Sequence, residues 1–232
     1  MTEITGETQG RGRLIAWLVF VGLLALISYL GRLSGTETPD DLAYRYSSSI
    51  AAIVQYAIML GILLLIARGR SRRTLFALHR PRSWPRSLGL AVLALLAIYA
   101  AAVVYEQVLS VFGDWNPTEE QGLIPDGWDS SRAGAFVAFF LVVTFVAPVV
   151  EELTYRGLGL SLLVPYGTVL AILSAGFLFG AAHGLLIALP VLVIFGLIAG
   201  WLRIHTRSIY PPMLFHMMFN GIALIVSVSG VV

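Results

Sequence analysis

The sequence predicts an all-α membrane protein, a polytopic bundle of about seven transmembrane helices within a range of six to eight. Three observations lead there. Of 232 residues, 58% are hydrophobic and 12% are charged, with a mean hydropathy of +0.85, whereas a soluble domain carries about a quarter charged residues. The apolar residues fall in long runs, and about 20 such residues cross a hydrocarbon core of about 30 Å as a helix. All fifteen basic residues are arginine, and they gather at the ends of those runs, as orientation in a bilayer requires. A net charge of +2 and a pI near 9.1 therefore point to lipid and not to nucleic acid as the partner. Cysteine is absent, which excludes disulfides, iron-sulfur clusters and thiolate zinc sites.

The runs are taken in chain order as Leu14 to Leu30, Ser49 to Ala67, Ser87 to Phe112, Ala133 to Val150 with an extension, Thr168 to Leu186, Leu189 to Ile204, and Pro212 to Val232. They leave no room for a soluble domain, so residues 1–232 are expected to form one integral membrane domain. Arg11 and Arg13 precede the first run as in a secretory signal, but Tyr29, Leu30 and Arg32 do not resemble a small-residue cleavage site, and a retained helix is expected. The tight turn near Ala188 to Pro190 separates the fifth run from the sixth.

Residues 68–86 hold seven arginines and no acid, which marks them as a cytoplasmic loop; binding of anionic lipid would suit the same side. Counting outward puts the N-terminus inside, with residues 31–48 and 113–132 outside. Twelve arginines then fall inside and three outside. The outer segment carries Asp114, Glu119, Glu120, Asp126 and Asp129 with Trp115 and Trp128, read as a solvated interfacial loop. The chain end Ser229-Gly230-Val231-Val232 carries no lipidation motif.

The informative residues are the polar ones at bilayer depth, where a charge costs at least about 2.5 to 3.5 kcal/mol. Three clusters qualify. Glu151 and Glu152 stand side by side after Pro148, a residue able to kink a helix. Glu152 and Arg156 are four apart and can pair on one face, which turns Glu151 elsewhere. A juxtamembrane charge cluster would look the same. His183 follows Phe179 by four residues in a run of small and apolar residues, where packing and catalysis are both open readings. Glu151 and His183 lie sixteen residues either side of Gly167, so an antiparallel helical hairpin would bring them to similar depth. His216 and Asn220 share a face in the last run, where interhelical hydrogen bonding is the plainer role. One free carboxylate, two histidines and an amide are together the parts for activating water and stabilising an oxyanion.

In these motifs the sequence resembles the CPBP intramembrane proteases, which include the type II CAAX prenyl endopeptidases and bacterial bacteriocin-processing or self-immunity proteins. The resemblance rests on Glu-Glu-x-x-x-Arg at Glu151, Glu152 and Arg156, on Phe-x-x-x-His at Phe179 and His183, and on His-x-x-x-Asn at His216 and Asn220. The stretch Phe195 to Trp201 with Arg203, Thr206 to Ser208 and Pro211 is similar to the family's approach to its last motif. The likeness covers about residues 140–222.

It implies hydrolysis, within the membrane, of a peptide bond in a membrane-associated or lipidated peptide or protein; chain size and the arginine bias point to a bacterial cell membrane. Glu151 would be the general base, His183 and His216 would hold the water, and Asn220 would donate to the oxyanion. Glu152, Arg156 and Phe179 would support the site or contact substrate. A polar cavity opening toward the cytoplasmic side is expected, because water must reach the site. No cofactor is required on this reading. Zinc held by Glu151, His183 and His216 is the alternative, with Glu152 as a base, although the His-Glu-x-x-His pattern is absent. Two other classes stay open: a non-catalytic immunity or scaffold protein of the same fold, and a proton-coupled transporter. Against the transporter, Gln55, Tyr56, Tyr99, Tyr105 and Glu106 in the first half do not repeat the Glu, His, His, Asn set; most are read as interfacial or packing residues.

Overall fold

A computed structural model describes residues 2–34, 41–113, 125 and 127–229, and every regular element in it is helical. The seven main helices are α1 (Thr2–Leu33), α2 (Tyr46–Ile66), α3 (Trp84–Phe112), α4 (Ser130–Tyr166), α5 (Thr168–Ala182), α6 (Leu189–Thr206) and α7 (Tyr210–Val228). Among the described residues, six are long and apolar enough to cross a membrane. The fifth differs from expectation. Its run ends at Ala182 and not at Leu186, leaving 15 residues, or about 22 Å, short of a full crossing. Beyond it His183 caps the helix and Gly184 takes a left-handed φ of +67°, which reverses the chain inside the bundle.

The outward faces of α1, α2 and α3 carry exposed Leu, Ile and Val, as lipid-facing surfaces do, while Trp17, Leu63, Ile98, Tyr155, Phe179 and Phe195 fill the interior. The helices α5 and α6 pack through Gly176, Gly180, Gly196 and Gly200, small residues that let backbones approach. A Cβ on Gly196 would lie 2.6 Å from the Gly176 carbonyl oxygen. Gly196→Ala is therefore expected to destabilise the protein by about 1 to 3 kcal/mol, read as a lower melting temperature in detergent.

The longest element, α4, is not a uniform helix. Two π-helical stretches, Val142–Val146 and Leu153–Gly159, flank the α-helical turns Ala147–Glu152. Wide turns of this kind recur at functional sites. The Ala147 amide reaches back five residues to the Val142 carbonyl; the next amide in that register would belong to residue 148, a proline with no N–H. The Val143 carbonyl is thereby released to another partner. Further along, Gly159 leaves room for Trp17, whose indole donates to the Thr154 carbonyl at 2.9 Å.

At the end opposite residues 68–86, Arg132 pairs with Asp41 at 2.8 Å and Asp129 at 2.6 Å, and Asp41 also meets Arg45 at 2.6 Å. The acids Asp114, Glu119, Glu120 and Asp126, with Trp115 and the chain end Gly230 to Val232, lie outside the described residues. Hydrogen bonds from Ser131 and Arg132 hold the Asp129 carboxyl down to about 2. A depressed carboxyl stabilises the fold above its ordinary range near 4 and loses that effect as pH falls toward 2. Wild-type melting temperature is expected to drop across that window, and Asp129→Asn to flatten the drop.

Candidate active site

The site sits at mid-bundle. Tyr56 stands ten residues from either end of α2, about 15 Å by helical rise, and its hydroxyl donates to Glu151 Oε1 at 2.6 Å. The neighbouring carboxylate turns the other way. Glu152 and Arg156 are both fully buried and paired at 2.8 Å, as their spacing on one helical face predicts. Arg156 also donates to the Gly196 carbonyl at 3.2 Å and lies over the Phe179 ring, 4.4 Å from its centroid. A guanidinium with a carboxylate, a carbonyl and an aromatic face around it is tolerable in the interior where an isolated one is not.

His216 joins the two carboxylates. Its Nδ1 lies 2.9 Å from Glu152 Oε1 and its Nε2 3.7 Å from Glu151 Oε2. A carboxylate already paired with arginine only accepts, so the Nδ1 proton of His216 points at Glu152 and Nε2 faces Glu151. His183 is oriented in the same manner, with Nδ1 2.8 Å from the Phe179 carbonyl. Nε2 is then the nitrogen left for chemistry on each ring. Phe179 separates the histidines, its ring centroid 4.7 Å from that of His183 and 5.7 Å from that of His216, and Phe195 stacks on it at 5.4 Å. Asn220 donates Nδ2 to the released Val143 carbonyl at 2.9 Å, which uses one of its two amide protons.

Glu151, His183, His216 and Asn220 all line one cavity of about 210 Å³, with Tyr56, Phe179 and Phe195. The turn at Gly167 between α4 and α5 brings Glu151 and His183 together as the antiparallel arrangement requires. The cavity does not run as expected. From Glu151 its wall climbs α4 through Ala147, Val143 and Phe139, and is completed by Arg32 and Leu224, so it extends away from the arginine-rich end. The short α5–α6 hairpin turns at the depth of the site and leaves space beyond it, while Trp17, Leu158 and Leu160 are fully buried toward the arginine-rich end.

One sequence reading changes. Tyr56, read as an interfacial or packing residue, is the nearest hydrogen-bond partner of Glu151; its one signal was a Gln-Tyr pair in the middle of an apolar run. Among the described residues no three His, Asp or Glu groups are already gathered as metal ligands; Nδ1 of His183 and Oε1 of Glu151 are held by protein partners, which leaves Nε2 and Oε2 facing the cavity.

Residues 133–222 match the model of a protein family described as type II CAAX prenyl endopeptidase Rce1-like. No curated protein and no solved structure matches the chain.

Proposed function

We propose, from the match of residues 133–222 to the Rce1-like family model, that the chain is a CPBP-type, glutamate-dependent intramembrane endopeptidase that cuts a membrane-associated or lipidated peptide. The observation that carries this reading is the placement of Glu151, His183, His216 and Asn220 around one cavity at the depth of the bilayer interior. Glu151 takes a proton from water as the water oxygen bonds to the peptide carbonyl carbon. The free Nε2 atoms of His183 and His216 hold that water, each ring being fixed through its Nδ1 by the Phe179 carbonyl and Glu152 respectively. The second amide proton of Asn220 donates to the oxyanion. When the C–N bond breaks, the proton on Glu151 passes to the leaving amine. Glu152 and Arg156 orient His216 and do not meet the substrate. With the arginine-rich end in the cytoplasm, the cavity runs toward the outer half of the membrane.

The test is cleavage of a membrane-peptide library by detergent-purified protein, with and without a strong chelator. Fragments are expected from wild type, unchanged by chelator and absent from Glu151→Gln and His183→Ala. Chelator-sensitive cleavage restored by zinc would move Glu151 into a ligand shell. No cleavage, with a cellular phenotype that survives Glu151→Gln, would favour the immunity or scaffold role.

A further inference from the structure

A second cavity, of about 200 Å³, lies on the other side of Glu151. It is a cleft between α1 and α2, closed from behind by α4, to which α1 supplies Ser28, α2 supplies Gln55 and Tyr56, and α4 supplies Glu151 and Tyr155. Glu151, Tyr56 and His183 line both cavities. These three side chains are thus the wall between two compartments.

The compartments differ in chemistry. The first is walled largely by aliphatic and aromatic carbon, and the second largely by polar atoms. Gln55 is exposed nine residues into α2, a depth at which an amide facing hydrocarbon is strongly disfavoured. Tyr155 is 2% exposed and its hydroxyl has no hydrogen-bond partner in the protein, although such groups are paired as a rule. Water in the cleft would serve Gln55 directly and is the partner chemistry the buried Tyr155 hydroxyl lacks. The volume holds several molecules, each occupying about 30 Å³ in the liquid.

We propose that this cleft is the water site of the protein, supplying the hydrolytic water to Glu151 from the α1–α2 side while the peptide occupies the apolar cavity beyond the wall. The inference rests on the protease reading for the fate of that water. It gives a chemical role to α1 and α2, which lie outside the family-matched segment. Gln55 and Tyr155 hold water, and Tyr56 fixes the carboxylate so that one oxygen is tethered and the other stays free. Hydrolysis needs water and an apolar peptide segment at the same carboxylate, and separate compartments keep the peptide from displacing the water.

Because the chain has no cysteine, single cysteines report on each compartment without background. In proteoliposomes, a charged methanethiosulfonate reagent is expected to modify Gln55→Cys about tenfold faster or more than Val54→Cys, the adjacent exposed position. A library peptide that wild type cleaves, added in the Glu151→Gln background, is expected to protect Ala223→Cys in the first cavity and not Gln55→Cys. In the otherwise unmodified protein, Gln55→Leu combined with Tyr155→Phe should lower kcat about tenfold with KM unchanged. Labelling at 55 no faster than at 54, or protection of both cysteines by peptide, would overturn the proposal. Labelling needs no activity, so a wet cleft in a protein that cuts nothing would sink the protease reading and leave the water site standing.

Discussion

Glu151→Gln is expected to lower the rate of peptide cleavage by about 10² to 10⁴-fold, the usual contribution of a positioned acid–base group, with no loss of melting temperature in detergent. Glutamine keeps the shape of the side chain and still offers Oε1 to the Tyr56 hydroxyl, which donates to that atom at 2.6 Å. What it loses is the ability to accept and return a proton. The effect should appear in kcat, since the carboxylate works on water and not on peptide binding. A variant that cleaves at more than a tenth of the wild-type rate would remove Glu151 from the role of base and return His216, whose Nε2 lies 3.7 Å away, as the candidate.

The second large effect is on stability. Arg156→Met is expected to destabilise the protein by about 3 to 5 kcal/mol, the range for breaking a buried ion pair from one side. Glu152 would then be a carboxylate with no exposure and no countercharge, and the Gly196 carbonyl would lose its donor from α4. Replacing both partners, as Glu152→Leu with Arg156→Met, should recover most of the melting temperature because no uncompensated charge remains. It should not recover cleavage. His216 would lose the acceptor 2.9 Å from Nδ1 that fixes its ring, so this double variant separates folding from orientation of the histidine. A double variant as unstable as Arg156→Met would show that the aromatic and carbonyl contacts of Arg156, and not its charge, carry the stability.

Much of the site was legible because its signals are local. The Glu152–Arg156 pair follows from four-residue spacing on one helical turn, and the paired motifs Phe179 with His183 and His216 with Asn220 follow from the same geometry. The release of the Val143 carbonyl needed more. Pro148 announces a missing amide, but only the wide register of α4 makes residue 143 the carbonyl that goes without, and only the approach of α7 brings Asn220 to it. Tyr56 was not legible as a site residue. It lies 95 residues from Glu151, and no periodicity links two helices so far apart in the chain.

The sequence by itself determined that this protein is a helical bundle in a bilayer, because the length and apolarity of a run decide membrane insertion without reference to its neighbours. It also determined which residue types could do chemistry, because a charge or an imidazole in such a run is too costly to be there without a partner. The tertiary structure alone decided that the fifth helix stops short, that the cavity runs away from the arginine-rich end, and that a tyrosine from outside the motif segment holds the central carboxylate. Those features depend on how helices pack against one another. In lipid that packing is set by small residues and interhelical hydrogen bonds, and it leaves little trace in hydropathy.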